Sequence, residues 1–476
     1  MENYNLLSVL LSLPLAAFAV TWVMPKTIQR MYAIFASIVV LAVSIYVAVQ
    51  TGDSPWEVKL AWVPELGLSL SLKWDSISKW FVVVNALVAV IAMSLRGPWY
   101  RKSPRLFTAL GFFLVFALNA AFLSQDLIVF YLAYEAVFIP MIFMVGIWGS
   151  QAKAAAVLRF FLMSFLGSVL MLVSIFSLIY LFKEQSGQYS SFLPDLIQAA
   201  SVKGGTALHW CFLGFFLAFA IKVPVFPFHG WLKDVYVNAP MPATIWMSAI
   251  LSKLGIYGFI RFVNPLFPDV AHFDQGWILL ISAISILYAA FLAIRARSPK
   301  ELLAYSSISH LGFVMLAVYS LVPGGAASAV LLSIGHALVS ALLFYGLSLV
   351  EERQPIVDLS LNYGLAKAYP VLFTLLFVSV LWAVALPGTL NFMGEFLALF
   401  HAYSASVPSV VLGAFGVVFG AVYMLRFYQQ LGLGQLSGEQ KVGKDLGMYD
   451  IALMGALILA LIYFGFQPML FLKGNG

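Results

Sequence analysis

The sequence predicts an all-α polytopic membrane protein, and three observations carry that prediction. Hydrophobic residues fill 62% of the 476 positions and charged residues only 10%, too little charge for a surface that faces water. The mean hydropathy is +0.97. Apolar runs recur along the whole chain at the length of about 20 residues that a spanning helix requires.

The runs lie at 4–23, 31–50, 76–96, 106–123, 126–148, 155–182, 207–227, 243–263, 276–294, 303–321, 326–350, 369–404, 408–430 and 448–470, which predicts about 14 transmembrane helices. The first, Leu6 to Val23, has no basic stretch before it and no small-residue cleavage site after it, so it reads as a membrane helix and not as a leader. Two runs are interrupted. Pro224 and Pro227 close the seventh, and Leu386-Pro387-Gly388 cuts the twelfth. Proline removes a backbone donor and frees carbonyls one turn back, so both read as broken helices.

Loop charge gives the orientation. With the N-terminus outside, 15 basic residues fall in the inner connections, from Lys26 and Arg30 to Lys441 and Lys444. The outer connections hold 6: Lys59, Lys73, Lys183, Lys203, Arg261 and Lys473. That asymmetry agrees with the positive-inside rule. The two long outer loops, 51–75 and 184–206, are too small to be domains. The expected organisation is a single membrane domain over 1–476. Paired interruptions in corresponding segments point to internal repeats, here two inverted five-helix repeats: helices 4–8 within 106–263 and helices 9–13 within 276–430.

Composition also excludes functions. The net charge of +6 is scattered through short loops, so no nucleic-acid partner is expected. Cys211 is the one cysteine, which excludes a disulfide, an iron–sulfur cluster or a cysteine zinc site within this chain.

Ionisable residues inside the apolar runs carry the functional reading. A charge at a helix centre costs roughly 2.5–3.5 kcal/mol on insertion scales, and chains that keep such groups use them as a rule for protons or ions. Glu135 stands in Phe130-Tyr131-Leu132-Ala133-Tyr134-Glu135. Desolvation and a nearby cation would act on it in opposite senses, so it can load and release a proton. Lys222 precedes two prolines within five residues, beside unwound backbone that must be lined by protein or a wet cavity. Lys253 is central in its run, with Ser248, Ser252 and Gly255 nearby. His310 follows Ser306, Ser307 and Ser309; His336 is flanked by Ser333, Gly335 and Ser340. Imidazole titrates near physiological pH and suits a relay. Glu395 lies just past the Pro387-Gly388 break. No residue pattern suggests a metal or a cofactor-binding site.

Taken together, Glu135 in its aromatic helix, Lys222-Val223-Pro224-Val225-Phe226-Pro227-Phe228-His229-Gly230-Trp231, Lys253-Leu254-Gly255-Ile256-Tyr257-Gly258, Leu302 to His310, and Leu386-Pro387-Gly388 with Gly394-Glu395-Phe396 resemble the antiporter-like subunits of respiratory complex I. The likeness covers most of the chain, most strongly about 120–400, with several motifs in the same order. Glu395 marks one subclass, since other members typically carry lysine on the broken twelfth helix. The resemblance implies roles. Glu135 and Lys222 would form a buried pair whose opening and closing tunes the lysine. Lys253, His310 and His336 would pass protons along a hydrated central axis, and Glu395 would exchange with the outer side or a neighbouring subunit. The chain departs from the family at Lys233-Asp234-Val235-Tyr236, where proline, an acid, alanine and histidine are usual.

The expected function is thus proton translocation in a complex I-type NADH:quinone oxidoreductase, coupled to electron transfer in other subunits. Flavin, iron–sulfur clusters and quinone are expected in those partners and no cofactor in this chain. Antiporter-like neighbours and the bilayer are the expected surroundings, in an energy-converting membrane such as the prokaryotic plasma membrane. Two alternatives keep the same helices: a subunit of a multisubunit Na⁺/H⁺ antiporter or of a membrane-bound hydrogenase. A third, of another class, is a structural membrane scaffold with idle charges.

Overall fold

Apolar length decides most of the elements. A computed structural model describes residues 2–52, 55–202, 205–356, 358–435 and 443–472, with side chains from Leu6 onward. Lys203, Lys441 and Lys473 of the charge count, and both extremes of the 1–476 domain, lie outside these residues. The principal elements are α1 Glu2–Thr21, α2 Gln29–Thr51, strands β1 Trp56–Val63 and β2 Leu68–Trp74, α3 Ser78–Ser94 and α4 Pro104–Leu123. Next come α5 Leu127–Trp148, α6 Lys153–Ser186, α7 Leu193–Val202, α8 Thr206–Lys222, α9 Leu232–Asn238, α10 Met241–Leu266 and α11 Pro268–Arg295. The chain continues through α12 Pro299–Val318, α13 Gly325–Arg353, α14 Pro370–Ala383, α15 Leu390–Tyr403, α16 Val407–Gly432 and α17 Met448–Phe466.

Among the described residues, 11 helices are long and apolar enough to cross a membrane, and α3, α8 and α14 are shorter apolar helices. The chain is an all-α polytopic membrane protein. The lateral faces agree. On α6, Leu158, Leu162, Phe165, Leu166, Val173 and Phe176 are all exposed, an apolar stripe suited to lipid.

Both breaks are visible. Helix α8 stops at Lys222, and Pro224 and Pro227 occupy the turns before α9. Helix α14 stops at Ala383, and α15 restarts after Pro387-Gly388, where the Thr389 side chain accepts the Phe392 N–H and caps the new helix. The segment 51–75 holds a two-stranded antiparallel hairpin, with Trp56 opposite Trp74 and Leu60 opposite Leu70. The alternation Leu68-Ser69-Leu70-Ser71-Leu72 is its signal, and a scan for apolar runs passes over it.

The chain divides into two compact units. One comprises Met1–Val223, Asn238–Ala243 and Ile250–Asp274; the other comprises Pro224–Val237, Thr244–Ala249 and Gln275–Gly476. In the first unit Asp126 caps α5 by accepting the Ile128 and Val129 N–H groups, while its other oxygen accepts from Ser69 of the hairpin and from Ser191. One carboxylate thus fixes the start of the helix that carries Glu135. In the same unit Arg261 donates to both oxygens of Asp75 at 2.6 and 2.7 Å, and to the Tyr257 hydroxyl. Burial works against the Asp75 carboxylate, but the Arg261 guanidinium outweighs it and holds Asp75 below the usual aspartate range. In the second unit Ser298 caps α12 by accepting the Glu301 N–H. Asp445 accepts the Val371 and Leu372 N–H groups at the start of α14, and Arg353 at the end of α13 donates to the Asp445 carbonyl.

Candidate functional site

The first unit holds Glu135, Lys222 and Lys253. Lys222 is the last residue of α8 and fully buried, at the helix end whose free carbonyls favour a cation. Its Nζ lies 3.5 Å from the centre of the Phe138 ring and 4.6 Å from that of Tyr134. The face of an aromatic ring is negative, and a desolvated cation over it gains about 2 kcal/mol. The Tyr134 hydroxyl donates to the Ala218 carbonyl, which locks that ring beside α8. Among the described residues Nζ has no hydrogen-bond partner, and neither has Glu135 Oε1. Glu135 and Lys222 still act on each other electrostatically. The pair is therefore apart: carboxylate and ammonium sense one another with no bond between them. Glu135 is only partly buried, on a face of α5 where Leu132, Ile139 and Phe143 are half exposed.

Lys253 is fully buried on α10. Its segment, Ser252–Gly258, has a π-helical turn on either side, Met247–Leu251 and Phe259–Val263. Such wide turns are rare and concentrate at functional positions. Gly255 explains how this helix reaches the end of α8. A Cβ there would stand 2.9 Å from the Phe219 carbonyl and 3.1 Å from Lys222 Cβ, so only glycine lets the segment bearing Lys253 pack on the Lys222 turn.

The second unit holds His310, His336 and Glu395, and it brings them together. His310 Nδ1 and Glu395 Oε1 are 2.8 Å apart, both side chains buried. The His310 and His336 rings lie 5.2 Å apart between centres. A small cavity adjoins them, lined by Ser306, Ser307, Ser340 and Asn391 with the two histidines. It gives about 10 Å³ of room to the centre of a water-sized sphere, the size that admits a single water. Asn391 is buried, and neither of its amide atoms has a hydrogen-bond partner among the described residues. Tyr423 of α16 is fully buried within electrostatic reach of Glu395.

Sequence reasoning names these six ionisable residues but misses what surrounds them. Tyr134 and Phe138 stand four apart, hence on one face of α5, and that spacing was the available signal for an aromatic cradle. Asn391 and Tyr423 carry no such signal, because their meaning depends on which helix they face. The unusual segment Lys233-Asp234-Val235-Tyr236 forms most of α9. Lys233 pairs with Asp234 at 3.2 Å, and Tyr236 is buried against Phe344.

Comparison with known proteins gives a consistent result. The family model described as NADH:quinone oxidoreductase/Mrp antiporter, transmembrane, matches residues 124–420. The NADH-quinone oxidoreductase subunit M of Rickettsia felis is 33% identical over 93% of this chain and 90% of its own length. The NADH-ubiquinone oxidoreductase chain 4 of Marchantia polymorpha is 31% identical over 99% and 95%. A chain of respiratory complex I from Thermus thermophilus superposes with a TM-score of 0.90 at 29% identity, covering 98% of this chain and 97% of that one. A chain of the Mrp complex from Dietzia shares the fold, with a TM-score of 0.84 at 20% identity over 99% and 96%.

Proposed function

The chain belongs to the NADH:quinone oxidoreductase/Mrp antiporter transmembrane family, and from that premise we propose that it translocates protons in the membrane arm of a complex I-type NADH:quinone oxidoreductase. The observation that carries this reading is Lys222: a buried cation at a helix break, cradled by aromatic faces and unbonded to its carboxylate neighbour. A purely structural lysine would close its ion pair, because an unpaired buried charge is costly. A lysine held open can give up its proton and take another as Glu135 approaches or withdraws.

In this reading Glu135 and Lys222 load the proton, Lys253, His310 and His336 relay it, and Glu395 releases it. The Pro224, Pro227, Pro387 and Gly388 breaks supply the unwound backbone that such groups need. Electrons pass through flavin, iron–sulfur clusters and quinone in partner subunits, and antiporter-like neighbours flank the chain in an energy-converting membrane. The drive reaches this chain as a change in charge pairing. Moving one charge across the membrane takes about 2.3 kcal/mol per 100 mV, on the scale of what opening or closing a desolvated ion pair changes. We further propose that the N-terminus faces the outer side, and that 106–263 and 276–430 are inverted repeats. Two features support the repeat: each half has one Pro-interrupted helix, and each places an ionisable side chain at it.

The test replaces Glu135 or Lys222 with alanine in the assembled, reconstituted complex. Loss of proton translocation with assembly intact is expected. Unchanged translocation in both variants would return the chain to the scaffold reading.

A further inference from the structure

Within the second unit α13 and α15 form one antiparallel seam. A Cβ at Gly335 would meet Asn391 Oδ1 at 2.4 Å, and one at Gly394 would meet Leu332 Cβ at 2.7 Å. Farther along, Ser328 Oγ and His401 Nδ1 are 3.1 Å apart. Positions fall on α13 as they climb on α15. Ser328, Leu332 and His336 are spaced by four residues and so share one face of α13. His401 stands six residues past Glu395, about 9 Å along the helix axis. The seam therefore leads from the His310–Glu395 pair to the Ser328–His401 pair. It leads away from the basic connections: α12 begins just after Arg295 and Arg297 and α13 ends at Arg353, whereas Gly324 and Ser404 lie at the opposite ends.

The seat of the imidazole is built for it. Gly324 has a φ of +85°, and a Cβ there would stand 3.3 Å from both Cε1 and Nε2 of His401. His401 is partly exposed. Among the described residues no carboxylate or cation acts on it from α12, α13, α14, α16 or α17, and Ser328 is the side chain that bonds it. It thus combines a titratable ring, a fixed orientation and access to the surface at the far end of the seam.

We propose that His401, oriented by Ser328, is the release group of this unit. Its free ring nitrogen accepts the proton that leaves the His310–Glu395 pair and hands it to water on the outer face, the ring returning to neutral. The assignment rests on the proton path proposed above. Sequence reasoning passes over His401 because it stands near a helix end and not at the middle of an apolar run.

The test uses the whole complex in sealed vesicles and compares His401→Ala, His401→Gln and Ser328→Ala with Glu395→Gln. Glutamine keeps a polar group for Ser328 and separates titration from packing; it also serves alone if the alanine variant does not assemble. Both His401 variants should assemble and release protons about 10²-fold more slowly, the lower end of the loss expected for a positioned proton carrier. Imidazole added on the outer side should restore His401→Ala, and Ser328→Ala should displace the pH profile of release. If both His401 variants release at the parental rate while Glu395→Gln is impaired, His401 is not the release group and the path stands. If His401→Gln alone is fully active, the residue is structural and the proposal falls. If Glu395→Gln is also at the parental rate, the path falls with it.

Discussion

The two units hold their charges in opposite ways. In the first, Lys222 rests on the faces of Phe138 and Tyr134 and shares no bond with Glu135. In the second, His310 and Glu395 are in contact at 2.8 Å, with a water-sized cavity beside them. The chemistry of the cation accounts for the difference. An ammonium is attracted by the faces of aromatic rings, so it can wait without a bonded carboxylate. An imidazole sheds its charge easily, so it can stay bonded to a carboxylate whether or not a proton is present. In the proton path proposed above, the first arrangement is an open switch and the second a closed one.

Three substitutions test that contrast, and a fourth marks its edge. The largest effect is expected from Lys222→Met, which keeps an unbranched chain but removes the cation: proton translocation by the assembled complex should fall about 10²-fold or more. A milder loss would mean that the aromatic cradle holds something other than the working charge. Glu395→Gln removes the charge from the closed pair while leaving a hydrogen-bonding group for His310, and translocation should drop about tenfold, or about 1.4 kcal/mol in the barrier. If the two variants were equally impaired, the open and closed sites would not differ in role. With the Tyr134 face still beneath the ammonium, Phe138→Leu should cost about 1 kcal/mol of the cation–π stabilisation and slow translocation about fivefold, with assembly on native gels unchanged. An identical rate would show that the ring is only packing.

The smallest effect concerns an ion pair outside the proposed proton path. Arg261 holds Asp75 below the usual aspartate range. The unfolded chain therefore takes up this proton first. The stability from the pair is complete above about pH 4, the ordinary aspartate value, and is lost as pH falls through the lowered value of Asp75. Thermal unfolding of the purified protein should show this acid step in the parent as a fall in midpoint, and Asp75→Asn should lack it. A step that survives in Asp75→Asn would assign it to other carboxylates.

Legibility in the sequence follows the range of the interaction. The helices of the apolar runs and the breaks after Lys222 and before Glu395 are local matters, set by some twenty consecutive residues or by a proline. The alternation in Leu68–Trp74 was equally local, but it needed a search for period two. The subclass mark at Glu395 was legible too, and the relatives named subunit M and chain 4 agree with it. Surroundings were not legible. That Asn391 would face Gly335, or that Ser328 would meet His401, depends on which helices lie side by side.

The sequence by itself therefore settled that this chain spans a membrane, where its helices yield, and which side chains bring ionisable groups into the apolar interior. A bilayer forces every span to satisfy its own backbone, so those features must be written in consecutive residues. The tertiary structure alone decided that Lys222 stays open on two rings while His310 closes on Glu395. Such partners are chosen through space, between helices far apart in the chain, by packing that no local pattern records.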